Sequence, residues 1–117
     1  DGHVITQAIV KSPIGGDVIV KHARSMLEKN GIDLTPAALI SSKEVVRDHE
    51  KPKYMRKSLN FQPTTSWLNY MTDRALQDFQ HSIIQVSESP YDERIAAAVP
   101  AVPYEFPTGY RQDFGCE

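Results

Sequence analysis

Three stretches of the chain hold residues whose types and spacing permit chemistry. Gly15-Gly16 precedes a helix-like stretch, and helix N-termini offer free N–H groups and partial positive charge to an anion. A phosphate loop would follow its glycines with Lys and then Ser or Thr; Asp17 and Val18 follow here, so a strand-to-helix turn is the plainer reading. Lys51-Pro52-Lys53-Tyr54-Met55-Arg56-Lys57 interleaves basic and aromatic residues. Such a run can meet nucleic-acid phosphates or an acidic surface, although short basic loops are usually just solvated. Trp67 and Tyr70 offer an aromatic knob to a partner; alternatively they pack the preceding loop onto a helix, with Tyr54 and Phe61 joining them. His3, His22, His49 and His81 are scattered and make no ligand cluster with Cys116. No serine sits in a nucleophile-elbow context. The expectation is no metal site and no catalytic residue.

Bulk properties narrow the classes further. The 117 residues suit one domain, 1–117, with a modest core. Hydrophobic residues make up 40% and charged residues 24%, which fits a globular chain. A formal charge of -2 supplies no global basic field, which argues against a free DNA-binding module. One cysteine excludes an internal disulfide, and a reducing compartment is the ordinary expectation. No apolar run is long enough for a membrane span, and no signal-peptide pattern opens the chain. Both ends read as cut: Asp1 lies in a strand or its turn, and Cys116-Glu117 just follow one.

The elements that must position these residues follow from pattern. Asp1-Gly2 signals a turn, and Val4 to Ser12 is β-favouring and predicts a strand. Asp17 to Asn30 predicts a helix with Ile19, Ala23, Met26 and Leu27 on one face. Gly31 should end it in a left-handed conformation, with Ile32 folding back. Ser41 and Glu44 have capping-box spacing and predict a short helix to about Asp48. Residues 50–63 read as a loop between Pro52 and Pro63. The longest helix should run from Thr65 or Ser66 to about Val86, with a stripe of Leu68, Met71, Ala75, Leu76, Phe79, Ile83 and Val86. Ser89-Pro90 reads as an N-cap and first helical position before a last helix from Tyr91 to about Ala98. Val102–Phe106 and Tyr110–Phe114 around Pro107-Thr108-Gly109 read as a β-hairpin. The fold class is therefore α+β, with a mainly helical centre, a β-hairpin and edge strands near the ends.

The order strand, Gly-Gly, amphipathic helix ending in Asn-Gly, two helices, then Tyr-Glu-Phe-Pro-Thr-Gly resembles actin from the end of its third subdomain through most of its fourth. DGHVITQAIVKSPIGGD, SWLNYM, QDFQHSIIQVSESPYDE and VPYEFPTGY resemble more closely the class-four nuclear actin-related proteins, the Brahma-associated actin-like group. Relative to conventional actin, residues at about 41–75 look like an insert. It contains the basic loop and Trp67, and the resemblance there is looser.

The resemblance implies a non-catalytic scaffold subunit of SWI/SNF-type and INO-type chromatin remodellers and histone acetyltransferase complexes, acting in transcription in the nucleus. It implies as partners actin, a helical segment of the remodeller ATPase, other subunits of those complexes and, as a further candidate, the nucleosome; no membrane partner is implied. It also implies ATP in the full-length protein and no cofactor held by this segment, because both phosphate loops of the actin fold lie outside it. Gly16 would lie beside the adenosine. Gln80 and His81 match the positions where actin lines its adenine pocket with a basic and an acidic residue; the carboxylate is missing here, and solvated helix positions are the alternative. Lys51, Lys53, Arg56, Lys57 and Trp67 are the candidate partner contacts. The alternative from another class is a cytoskeletal ATP-binding, filament-forming actin-family protein. An insert in the fourth subdomain would alter filament packing surfaces and argues against it.

Overall fold

A computed structural model describes residues 2–116. Asp1, part of the expected opening turn, lies outside the described residues, as does Glu117.

The first long helix, α1 (Gly16–Lys29), starts from an extended Gly15 and carries Asp17 in its first turn and Lys29 in its last, both matched to the macrodipole. Its end is set by Gly31, whose φ of 72° is the left-handed conformation that glycine adopts without a Cβ penalty. Gly31 N donates to Glu28 O and Ile32 N to Leu27 O, both at 3.0 Å, so the expected stop is a Schellman motif with Ile32 buried behind it. α1 buries Val20, Ala23 and Leu27. Ile19 and Met26, expected in the stripe, are half-buried.

After a single 3₁₀ turn at Ala37–Leu39 comes β1 (Ile40–Lys43), which pairs antiparallel with β2 (Tyr54–Arg56). This corrects the expected helix from Ser41. A capping box would tie the Glu44 amide to the Ser41 side chain. That amide instead donates to Lys53 O at 2.9 Å, continuing the β-ladder. It also corrects the reading of residues 50–63 as a plain loop, since β2 lies within it.

The longest helix, α2 (Thr65–Ile83), is capped by Thr64, whose Oγ1 accepts from Trp67 N at 3.2 Å. Thr72, Leu76 and Phe79 are buried and Leu68, Met71, Ala75 and Ile83 half-buried, so the stripe is real but ends early. Val86 lies beyond the helix and is 92% exposed. The last helix, α3 (Glu93–Ala97), begins later than expected: Asp92, not Ser89, is the N-cap, and its Oδ1 accepts from Arg94 N at 2.9 Å.

The predicted hairpin forms from β3 (Val102–Glu105) and β4 (Arg111–Phe114), with Val102 opposite Phe114 and Glu105 opposite Arg111. Gly109 has φ 89°, and an added Cβ there would stand 3.2 Å from Glu44 O. The turn thus needs glycine both for its backbone and for close approach to the stretch after β1.

The core lies where α1, α2 and the β3–β4 hairpin meet: Val20, Ala23, Leu27, Ile32, Leu76, Phe79, Phe106 and Phe114. Phe79 is its centre, edge-on to Tyr104 and Phe114 and stacked on Phe106. Burying a side chain of this kind contributes about 1.5–3 kcal/mol. Arg24 adds polar ties from α1 to Glu28 and, across to α2, to Asp73 and Asn69.

The strand expected at Val4–Ser12 does not form. The segment holds one 3₁₀ turn, Thr6–Ala8, and is exposed throughout. Among the described residues no strand pairs with it, and an unpaired strand leaves its amides to water. The radius of gyration, 18.2 Å, exceeds the roughly 13 Å of a compact chain of about 100 residues, in keeping with an arm packed on nothing. The class remains α+β, as the sequence indicates.

Candidate functional site

Three places in this fold concentrate functional candidates. The first is the N-terminus of α1 beside the end of α2. Gly16 opens α1, and neither Gly15 nor Gly16 has any atom within 4 Å of where a Cβ would stand. The backbone at this helix N-terminus is therefore open to approach. Gln80 is half-buried in the last turns of α2, with its carbonyl taken by Ile84 N at 3.0 Å, and His81 beside it is exposed.

Next to these lies an open apolar groove of about 840 Å³, which the sequence reading did not anticipate. Val18 and His22 of α1, Ile83 of α2, Ile95 of α3, Phe114 of β4 and Cys116 are among its walls; Gly16, Gln80 and His81 are not. A sequence signal existed in Tyr91, Ile95 and Val99, an apolar row at helical spacing that finds no layer to cover it.

The second place is the β1–β2 ribbon. Lys51, Lys53, Arg56 and Lys57 are all exposed, so the basic loop is a basic ribbon. Lys53 Nζ approaches Glu50 Oε1 at 3.8 Å. Tyr54 points to the other side and does not join Trp67. Its hydroxyl donates to Asp33 Oδ2, while Thr35 donates to Asp33 Oδ1 through N at 2.9 Å and Oγ1 at 2.7 Å. Burial pushes the Asp33 carboxyl up; the hydrogen bonds from Tyr54 and Thr35 and the Arg56 charge outweigh that and hold it below its ordinary value. This knot fastens the ribbon to the turn after α1.

The third place is the start of α2. Trp67 is half-buried and meets Phe61 edge-on at 6.1 Å, as packing of the loop onto the helix requires. Tyr70 stays exposed, with Arg74 over its ring at 6.0 Å. Elsewhere, burial and the Asp78 carboxylate, which accepts from Tyr104 Oη at 2.7 Å, push the Tyr104 phenol well above its usual range.

Among the described residues no group of three or more His, Cys, Asp or Glu side chains is placed to hold a metal ion. No helix among them is long and apolar enough to cross a membrane.

Comparison with known proteins places this geometry. The chain is 32% identical over 133 residues to actin-related protein 4 of Emericella nidulans and 32% identical over 117 residues to that of Yarrowia lipolytica. It is 25% identical over 128 residues to a Schizosaccharomyces pombe protein described as a SWI/SNF and RSC complexes subunit, arp42. Each match takes in 100% of this chain but only 28%, 27% and 30% of the respective relative. The family model described as Actin matches residues 1–117, so the chain belongs to the actin family over its whole length.

Proposed function

We propose that this chain is the fourth-subdomain region of a nuclear, non-catalytic actin-related subunit of chromatin-remodelling and histone acetyltransferase complexes, with residues 41–75 an insert relative to conventional actin. The observation that carries this reading is the whole-chain match to the actin family together with relatives named actin-related protein 4 and a SWI/SNF and RSC subunit. The full-length protein would work as a scaffold beside actin on a helical segment of the remodeller ATPase, with further subunits or the nucleosome as partners of Lys51, Lys53, Arg56, Lys57 and Trp67.

Adenosine would be met by the α1 N-terminus at Gly16 and by Gln80 and His81. The fit is partial. The open space at Gly15 and Gly16 admits a ligand to the backbone, and a half-buried Gln80 can donate to and accept from a base edge. ATP bound by the full-length protein would contribute its own binding energy across the cleft. This segment supplies a wall on the adenosine side and no phosphate loop, so the chain by itself should release no phosphate from ATP.

The test is affinity purification of the full-length protein from nuclear extract with identification of its subunits. Actin and remodeller or acetyltransferase subunits are expected. Recovery of actin-family filaments without such subunits, sedimenting in an ATP-dependent way, would favour the cytoskeletal alternative and sink this one.

A further inference from the structure

The outer edge of β2 is open, and its neighbourhood selects what can fill it. Glu44 N donates to Lys53 O at 2.9 Å, and Lys57 N donates to Leu39 O at 2.8 Å. Met55 lies between them opposite Ser42, where a bulge sets Ser41 as well against it, and Ser41 Oγ donates to Met55 O. Alternate residues of an antiparallel strand turn their N–H and C=O toward the partner. Lys53, Met55 and Lys57 therefore turn toward β1, and Tyr54 and Arg56 turn away from it. Among the described residues no hydrogen bond outside the ladder engages the backbone of Tyr54 or Arg56. Beside β1 lies the β3–β4 hairpin: the Gly109 turn stands against Glu44 O, and Lys43 Nζ pairs with Glu105 at 2.6 Å. The edge of β2 is unfilled among the described residues.

Side chains alternate with the same period. Lys53, Met55 and Lys57 share one face and are all exposed, Met55 at 68%. Tyr54 and Arg56 share the other, toward Asp33. Lysines beside an open edge deter pairing with basic or apolar strands. An acidic strand is the one kind they attract. A DNA duplex would satisfy the lysines but leave Met55 and the backbone edge without a partner.

We propose that the edge of β2 accepts an extended acidic segment of a partner protein as an added strand. Carboxylates at alternate positions meet Lys53 and Lys57, an apolar side chain between them covers Met55, and the segment's backbone pairs with Tyr54 and Arg56. Nothing in this requires the chromatin-complex assignment, so the two stand or fall separately.

The probe is a blocked, fluorescent peptide, Thr-Glu-Thr-Val-Thr-Glu-Thr, titrated by anisotropy onto the full-length protein. Saturable binding is expected. N-methylation of the two central threonines should weaken it at least ~10-fold, as should replacement of both glutamates by lysine. The double variant Lys53→Glu, Lys57→Glu, checked for an unchanged circular dichroism spectrum, should reverse the preference between the glutamate and lysine peptides. Should that variant unfold, the two peptide modifications still decide the matter on the unaltered protein. Absence of saturable binding overturns the proposal, and so does an N-methylated peptide that binds as well as its parent. A short DNA duplex that binds through Lys53 and Lys57 while the peptide does not assigns the face to nucleic acid instead.

Discussion

The core built by α1, α2 and the β3–β4 hairpin and the arm before α1 are made of similar residues with opposite fates. Leu27 and Phe79 are 0% and 1% exposed; Val10 in the arm is 90% exposed, and Val4, Ile5, Ile9 and Ile14 are exposed with it. The aliphatic content does not separate the two regions. What separates them is a second layer. Each apolar face in the core meets another within the same 115 described residues, whereas the arm has neither a strand to pair with nor a face to cover it. Hydrophobic burial is non-directional and needs only area to cover. A strand needs a partner ladder as well, and the arm lacks both.

The largest effect should come from breaking the covered region at its centre. Phe79→Ala removes the ring that Tyr104, Phe106 and Phe114 share. The expected cost is about 3–5 kcal/mol in urea unfolding of the chain. A loss below about 1 kcal/mol would mean that the three layers do not meet at this residue. Gly109→Ala should come next, at about 1–3 kcal/mol, because a side chain at φ 89° is strained and its Cβ would stand 3.2 Å from Glu44 O. Thermal unfolding would show it, and a Gly109→Asn variant, better suited to positive φ, should recover part of the backbone cost but not the crowding.

These elements differ in how legible they were. The Gly31 stop, the Gly109 hairpin and the Leu76–Phe79 part of the α2 stripe could be read because each rests on local chemistry: a glycine at positive φ, or apolar residues at helical spacing. The capping signal at Ser41 loses to a strand that begins about six residues beyond the expected helix end, and pairing with Tyr54–Arg56 is not a local property. The Val4–Ser12 strand failed for the converse reason: its propensity was right, but propensity cannot supply a neighbour. At the candidate site, the exposure of Lys51, Lys53, Arg56 and Lys57 was legible. The strand beneath them and the knot of Tyr54 on Asp33 were not, since Asp33 is remote in sequence. The groove beside α3 is not legible locally because five elements, α1, α2, α3, β3 and β4, line it together.

A smaller effect tests how firmly the ribbon is tied to the covered region. Asp33 accepts three hydrogen bonds, from Tyr54 Oη, Thr35 N and Thr35 Oγ1. Its folded carboxyl lies below the ordinary value of 3.8, so its contribution to stability is fully present above that pH and is lost as pH falls through the lower folded value. Tyr54→Phe should cost about 0.5–1 kcal/mol at pH 7, toward the low end for a hydrogen bond because the group is half-exposed. The gap between variant and parent should narrow as urea unfolding is repeated below about pH 3.8. A gap that holds constant into acid would show that the Tyr54 hydroxyl acts through Thr35 Oγ1, 3.1 Å away, and not through the Asp33 carboxylate; no gap at any pH would show that Tyr54 acts through packing alone.

The smallest expected effect is the sharpest test of the comparison. Ile9→Ser with Val10→Ser removes two aliphatic side chains of the kind whose burial contributes about 1.5–3 kcal/mol each in a core. In this chain both are exposed, so the pair should change stability by less than about 0.5 kcal/mol. The chain spans only 28% and 27% of two relatives named actin-related protein 4; for the full-length protein the prediction is that further polypeptide covers the arm. There the same substitutions should expose the arm, and limited proteolysis should cut near residues 4–14 faster than in the parent. A large loss of stability in the chain alone would mean that the arm already packs against the core, and the contrast would disappear. Equal cleavage of parent and variant full-length proteins would mean that the arm stays bare in both, and that its aliphatic residues wait for a partner and not for the rest of their own polypeptide.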